Sequence, residues 1–267
     1  MTNSVSTPRL IDSPSHLGVV LLLVLLAFQF ASAQSNRFEA GIAALQRSQY
    51  TTAFRSWLPL AEDGLPEAQL NLGHLYHEGL GVEVDYDAAF LWYQRAAESG
   101  LAEAQFNLGL LYYDGAGVPR DRQTALELFR EAEAQSVAAA SYMLGLEDLR
   151  GELSPLDPER CRRRVLLAAR AGVPSAQFTY AMLAQSGQGG RPEGSRFLDF
   201  QVDRPVQGDP LVTYVWARLA QENGLESADL IQVIEVAEIM LGGDTESAEQ
   251  IIKGCLENGL SDCPTAD

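Results

Sequence analysis

The residues best suited to hold a metal ion are two histidines spaced three apart, His74 and His77, with Glu78 directly after them. A structural zinc site needs about four converging ligands. Glu78 is the only obvious further ligand nearby, so the coordination sphere stays incomplete. We interpret both histidines as solvent-exposed helix residues, and we predict no metal site and no cofactor.

The sequence contains none of the common catalytic motifs. Its single lysine, Lys253, has Gln250 three residues before it, which excludes the Ser-x-x-Lys acylation motif. A nucleophile elbow, a Walker loop and a dinucleotide fingerprint are also missing from the sequence. The glycine-rich segment 187–190 follows a predicted helix rather than a strand. We therefore predict no catalytic residues and no enzymatic activity.

Three cysteines remain as reactive groups, at positions 161, 255 and 263. In an oxidising compartment Cys255 and Cys263 would close a short loop, and a disulfide there stabilises the fold by about 2.5 kcal/mol in the chain-entropy estimate. Cys161 falls at a position that is alanine in the preceding repeats described below. We expect it to be a free, buried, small apolar side chain.

The first residues are predicted to form a cleavable signal peptide. Residues 17–31 are almost wholly apolar, but a bilayer span needs about 20 such residues. The run ends in Ala31-Ser32-Ala33, a small-x-small pattern that signal peptidase cleaves. We predict removal of residues 1–33 and a periplasmic or secreted protein without stable membrane insertion. The alternative is an uncleaved N-terminal membrane anchor.

The chain is strongly acidic, with 19 Lys and Arg against 36 Asp and Glu and a formal net charge of −17. Binding to phosphate groups requires clustered basic residues. We therefore expect no nucleic acid partner, and the acidity is best explained as a contribution to solubility.

The strongest pattern is an internal repeat of 36 residues, the distance from Ala68 to Ala104. Several columns of identical residues recur at this shift. They are Ala68, Ala104, Ala140 and Ala176; Gly79, Gly115, Gly151 and Gly187; and Asp85, Asp121 and Asp157.

Each column suits one part of a helix-turn-helix unit. Ala68, Leu72 and Leu75 recur at helical spacing and form an apolar stripe. The glycine column lies where the first helix ends, because glycine adopts a left-handed cap at little cost. The aspartate column precedes the second helix, and aspartate is a favourable N-cap residue. The pattern therefore predicts an all-α chain of paired helices.

These residues closely resemble the Sel-1-like repeat, a relative of the tetratricopeptide repeat. The matching residues of the first full unit are Ala68-Gln69, Leu72-Gly73, Tyr76, Gly79, Gly81-Val82, Asp85, Ala89, Trp92-Tyr93, Ala96-Ala97 and Gly100. The resemblance implies a right-handed α-solenoid of antiparallel helix pairs, in which each unit contacts its neighbours and caps cover the ends. It also implies an adaptor or scaffold that binds proteins.

The predicted domain organisation follows the repeat period. It consists of a signal peptide (1–33), an N-terminal capping helix pair (36–64), three repeats (65–100, 101–136 and 137–172), a diverged repeat (173–224) with an insertion at about 188–208, a C-terminal helical cap (225–258) and a tail (259–267).

The predicted partner-binding surface is the exposed stripe on the first helix of each unit, which would line the concave face. Along this stripe charged residues give way to leucine and methionine, and exposed apolar groups rimmed by polar ones are typical of a partner surface. The alternative is that some of them pack against the insertion. The candidate residues are Asn71, His74, Asn107, Leu110, Met143, Leu146 and Met182.

A second candidate is a basic patch within an acidic chain, made by Arg160, Arg162, Arg163 and Arg164. Such a patch is either a docking surface or a set of partners for the chain's own carboxylates. We favour pairing within the chain.

The predicted function is an exported scaffold or adaptor that binds a protein or peptide, and the resemblance implies roles in envelope regulation, secretion or host contact. One alternative is an envelope enzyme or enzyme subunit with its chemistry in segment 187–208, which contains Arg191, Glu193, Asp199 and Asp203, with Asp209 nearby. Another is an immunity protein for a cognate toxin.

Overall fold

The computed structural model describes residues 14–153, 157–186, 208–243 and 245–265. These residues form helices and turns, with no strand among them. The predicted all-α class, built from packed helix pairs, is confirmed. The chain divides into two compact units, Met1–Ser99 and Gly100–Asp267.

The described residues of the first unit form four helices, and each packs on the next. They are α1 (Pro14–Gln46), α2 (Tyr50–Glu62), α3 (Pro66–Glu78) and α4 (Tyr86–Glu98). Its core includes the fully buried Trp57, Leu72 and Leu75.

Helix α1 has two parts with different environments. Residues 19–26 and Phe28 are apolar and 52–74% exposed. Val19–Gln46 is long and apolar enough to cross a membrane, a test that signal sequences also pass. The C-terminal end of α1 joins the core, through Ala44 and its partly buried neighbours. There the Trp57 indole N–H donates to the Phe38 carbonyl at 3.2 Å.

Eight helices lie in the part of the second unit that the structure describes. They are α5 (Ala102–Asp114), α6 (Arg122–Ala134), α7 (Ala138–Arg150), α8 (Pro158–Arg170), α9 (Pro174–Gln185), α10 (Pro210–Glu222), α11 (Ala228–Met240) and α12 (Thr245–Glu257). One core cluster lies among α5, α6 and α7, and a larger one runs from α7 and α8 to the C-terminal residues.

The predicted helix caps are confirmed. Gly79, Gly115 and Gly151 end α3, α5 and α7 with φ of 67°, 76° and 64°, the left-handed region in which a Cβ is unfavourable. The side chains of Asp85, Asp121 and Asp157 accept backbone N–H bonds at the starts of α4, α6 and α8. Helix α9 ends differently, with Ser186 in the right-handed region, and Gly187 lies outside the described residues.

Helices α9 and α10 pack together although the predicted insertion separates them in sequence. The Gly208 backbone N–H donates to the Gln185 carbonyl at 3.1 Å. The rings of Tyr180 and Trp216, both buried, meet edge to face at 5.4 Å. Residues 187–207 lie outside the described part of the chain, and they include most of the predicted insertion. Of the proposed enzymatic residues, Arg191, Glu193, Asp199 and Asp203 lie in this segment, whereas Asp209 is the N-cap of α10.

A buried glutamine at the start of a first helix caps the preceding second helix. Gln69 donates from Nε2 to the Ala61 carbonyl at 3.0 Å, and Gln177 donates to the Ala169 carbonyl at 3.1 Å. The last carbonyls of a helix lack partners within that helix, so this side chain joins consecutive helix pairs.

Candidate partner-binding surface

In the second unit, the predicted stripe lies on α5 and α7. Asn107, Leu110, Met143 and Leu146 are all half-buried. Leu110 and Met143 pack on the core cluster that contains Phe129. Their inner sides are therefore packed, while part of each side chain still faces solvent.

In the first unit, the stripe lies on α3 and is polar. Asn71 is half-buried and His74 is exposed, and the flanking Glu67 and Glu78 are exposed as well.

The expectation that Met182 is exposed was wrong. Met182 is 6% exposed and belongs to the larger core cluster. Nearby, Thr179 is 7% exposed and shares a hydrogen bond of 3.1 Å with the Tyr142 hydroxyl. The cause is that α9 packs against both α8 and α10, and a helix that is apolar on most sides is buried on most sides.

Beside the stripe, three arginines surround the ring of Tyr113, and we call them the arginine cluster. The guanidinium carbons of Arg120, Arg122 and Arg150 lie 5.9, 5.6 and 5.8 Å from the ring centroid. Arg150 donates to the Tyr113 hydroxyl, and Arg120 donates to the Tyr113 carbonyl at 2.9 Å. These arginines come from the segment before α6, the start of α6 and the end of α7.

Two buried carboxylates on α7 neutralise part of this positive charge and of the predicted basic patch. Glu147 pairs with Arg122. Asp148, whose side chain is 3% exposed, accepts from Arg160 at 2.7 Å and from Arg164 at 2.9 Å. The favoured interpretation of the basic patch, pairing within the chain, is thus confirmed for Arg160 and Arg164.

Arg164 illustrates the balance of effects in this network. Burial opposes its charge, but hydrogen bonds to Glu133 and Asp148 outweigh burial and raise the pKa of the guanidinium. In Arg160 the hydrogen bond to Asp148 is the main cause of a raised pKa. Arg163 is exposed.

A cleft of about 250 Å³ opens above this network. It is lined by Leu126, Arg130, Leu144, Glu147, Asp148, Arg160 and Arg164. The cleft residues on α7 are Leu144, Glu147 and Asp148. At 100° per residue, they lie about 120° around the helix axis from Met143, Leu146 and Arg150. The cleft and the stripe are therefore different surfaces.

The cysteines are arranged as predicted. Cys255 and Cys263 form a disulfide, and Cys161 is free and fully buried. Burial, followed by the nearby Asp148 charge, raises the pKa of the Cys161 thiol to about 12.

The two histidines differ from each other. His74 is exposed as expected, but His77 is half-buried and contacts the rings of Tyr86 at 5.5 Å and Tyr93 at 6.2 Å. Within the described ranges, no group of three or more His, Cys, Asp or Glu is placed to hold a metal ion.

Comparison with known protein families decides the nature of the repeat. The family model of the Sel1 repeat matches residues 66–101, 102–137 and 138–173. This chain contains three Sel1 repeats. They cover α3 to α8, and Sel1 repeats generally mediate protein–protein interaction and are typically non-catalytic scaffolds.

A solved structure agrees with this assignment. A crystal structure of a Sel1 repeat protein from Oxalobacter formigenes is 25% identical, with a TM-score of 0.57, and covers 83% of this chain and 85% of that one. The structure of c5321, a protective antigen present in uropathogenic Escherichia coli strains displaying an SLR fold, is 21% identical with a TM-score of 0.40. That match covers 77% of this chain and 51% of the antigen's. A search of the curated proteins found no significant match.

The arginine cluster and the buried carboxylates belong to the second and third Sel1 repeats, and sequence reasoning missed both. The sequence does contain a feature that could have predicted the buried carboxylates. Glu147 and Asp148 stand where the second repeat has Leu111 and Tyr112, and Arg164 stands where it has Leu128. Charge thus replaces apolar residues on two facing helices at once.

Proposed function

We propose that this chain is an exported scaffold that binds a protein or peptide partner through the stripe on the first helices of its Sel1 repeats. The proposed contact residues are Asn71, His74, Asn107, Leu110, Met143 and Leu146. Met182 is removed from this set because it is buried.

The observation that carries the proposal is the half-buried state of Leu110, Met143 and Leu146 on two first helices. Leu110 and Met143 pack on the core cluster, and all three side chains keep apolar surface in contact with water. A partner that covers this surface gains about 25 cal/mol for every Å² of apolar area. Binding energy in interfaces concentrates on a few such anchors.

The polar residues of the stripe support binding to a peptide chain. Asn71 and Asn107 occupy the same repeat position on α3 and α5. An asparagine amide both donates and accepts hydrogen bonds. It is therefore suited to pair with a backbone N–H and C=O of an extended segment.

Two features support export. The apolar first part of α1 is exposed and makes no contribution to the described core. The Cys255–Cys263 disulfide is of the kind that persists in oxidising compartments outside the cytosol.

Partner capture tests the proposal. The chain from residue 34 onward would be immobilised and exposed to an extract of the envelope of its own cells. The variant Leu110→Gln/Met143→Gln/Leu146→Gln should lose the captured partner. Because Leu110 and Met143 touch the core, Leu146→Gln alone serves as a milder version that should retain its melting temperature.

A matched control replaces three exposed apolar residues away from the stripe, namely Leu167, Ile239 and Met240, with glutamine. This control should capture the partner as the unchanged chain does. Retained capture by folded stripe variants, with loss in the control, would place the binding surface elsewhere and refute the proposal.

A further inference from the structure

The arginine cluster around Tyr113 has unused capacity to bind an anion. Arg122 is paired with Glu147 and Glu152. Arg120 and Arg150, in contrast, form no ion pair with any carboxylate of the described residues. Three guanidinium groups thus face two carboxylates, which leaves an excess of one positive charge in a chain of net charge −17.

Glu152 shows which chemical group the arginine cluster can bind. Its side chain is 59% exposed and follows the Gly151 cap at the end of α7. Its hydrogen bond with Arg122 is the main cause of a lowered pKa, and the charges of Arg150 and Arg120 lower it further. A glutamate carboxylate at this position is therefore stabilised by all three arginines.

The cluster is also continuous with the proposed binding stripe. Arg150 follows Leu146 by four residues on α7, so the two side chains lie on the same face one turn apart. Leu110 and Tyr113 both belong to α5 and pack on the same core cluster as Met143. A segment lying along the stripe would therefore bring its next residues to the arginines.

We propose that the arginine cluster binds an aspartate or glutamate side chain of the partner segment, whose neighbouring apolar residues contact the stripe. The preferred partner segment thus combines apolar and acidic residues, and Glu152 competes for the same arginines. Arginine suits this role because its planar fork pairs with a carboxylate through two parallel bonds. This inference rests on the proposed function of the stripe.

The test selects peptides from a random library displayed on phage, in which every peptide C-terminus is fused to a coat protein. The bait is the chain from residue 34 onward. The unchanged chain should enrich peptides with large apolar residues and nearby Asp or Glu. The variant Arg120→Gln/Arg150→Gln should still enrich the apolar residues but lose the acidic preference.

Titration of the best selected peptide, synthesised with an amidated C-terminus, measures how much the arginines contribute to the affinity. Arg120→Gln/Arg150→Gln should weaken its binding about tenfold, the value of one hydrogen bond to a charged group. Glu152→Gln should tighten it by roughly twofold to fivefold, as expected for removing an exposed competitor. Melting temperatures establish that each variant is folded.

Arg170→Gln is the matched control, because Arg170 is exposed at the end of α8 and its loss changes the net charge equally per site. It should leave both the selection and the titration unchanged. An equal effect of Arg170→Gln, or an acidic preference that survives Arg120→Gln/Arg150→Gln, would overturn the inference.

The remaining outcomes separate this inference from the proposed function. Enrichment of apolar residues without acids would refute the acidic site and leave the stripe proposal standing. No enrichment at all would refute both. The same peptide would also be synthesised with a free C-terminus. If only this form binds, a terminal carboxylate rather than a side chain occupies the cluster, and the inference is refuted.

Discussion

At Gln69, one half of a buried amide is satisfied and the other half is not. Its Nε2 donates to Ala61, but Oε1 is buried without a hydrogen-bond partner among the described residues. In the equivalent Gln177 the Oε1 accepts from Asn223 at 3.0 Å, and in Gln105 it accepts from Gln135. The donors Gln135 and Asn223 are the C-cap residues of α6 and α10, the helices that follow these two glutamines. The equivalent C-cap residue of α4, which follows Gln69, is Ser99.

Replacing Ser99 with asparagine should therefore stabilise the first unit. Ser99 and Asn223 have nearly the same backbone angles, so the new amide should reach Gln69. We expect a gain of about 1 kcal/mol in the free energy of unfolding, as for a typical net hydrogen bond. Urea unfolding measures it, with Ser99→Ala as a near-neutral control. A destabilised Ser99→Asn variant would contradict the pairing.

Cys161 should be chemically inert in the native protein. The thiolate is the reactive form of cysteine, and burial raises the pKa of this thiol to about 12. At pH 8 the folded chain should resist alkylation by iodoacetamide, whereas the unfolded, non-reduced chain should take up one label, at Cys161. Mass spectrometry of the labelled peptides reads out both states. Rapid native labelling of Cys161 would show that α8 does not pack as described.

The pair α7 and α8 shows what a repeat pattern can and cannot predict. Columns of Ala, Leu, Gly and Asp gave the helix pairs and their caps, because those features depend on residues within one unit. Glu147, Asp148 and Arg164 depart from the columns, and their partners are set by contacts between helices. The burial of Met182 was missed for the same reason, since the period does not show what packs on the outer side of α9.

The buried network makes a prediction at the scale of this helix pair. Asp148→Asn would leave Arg160 and Arg164 without their shared carboxylate. Breaking a buried pair costs roughly 3–5 kcal/mol, and we expect the lower end because both arginines remain partly exposed. Denaturant unfolding measures the loss.

A combined variant tests whether the network serves stability at all. It gives the third repeat the residues of the second, through Glu147→Leu, Asp148→Tyr, Arg160→Thr and Arg164→Leu. Apolar replacement of a whole buried ion network is often neutral or stabilising, so this variant should recover the stability lost in Asp148→Asn. If Asp148→Asn unfolds at the same urea concentration as the unchanged chain, the network contributes nothing.

For the whole molecule, the position of the N-terminal cleavage matters for the core. Helix α1 is continuous through the predicted site before Gln34, but the residues that pack on Trp57 and its neighbours begin at Phe38. Removal of residues 1–33 should therefore leave the fold intact. We expect the intact mass of protein extracted from the envelope to correspond to a start at Gln34. A mass that includes residues 1–33 would indicate an N-terminally anchored protein instead.

The central claim is that a partner contacts the stripe, and site-specific photo-cross-linking tests it most directly. Benzoylphenylalanine would replace Leu146 on the stripe or, as a control, the exposed Leu167 on α8. Irradiation of living cells should give a covalent adduct with one discrete partner from position 146 and none from position 167. Adducts from position 167 alone would contradict the claim, and so would the absence of any adduct at position 146 in a folded, exported chain.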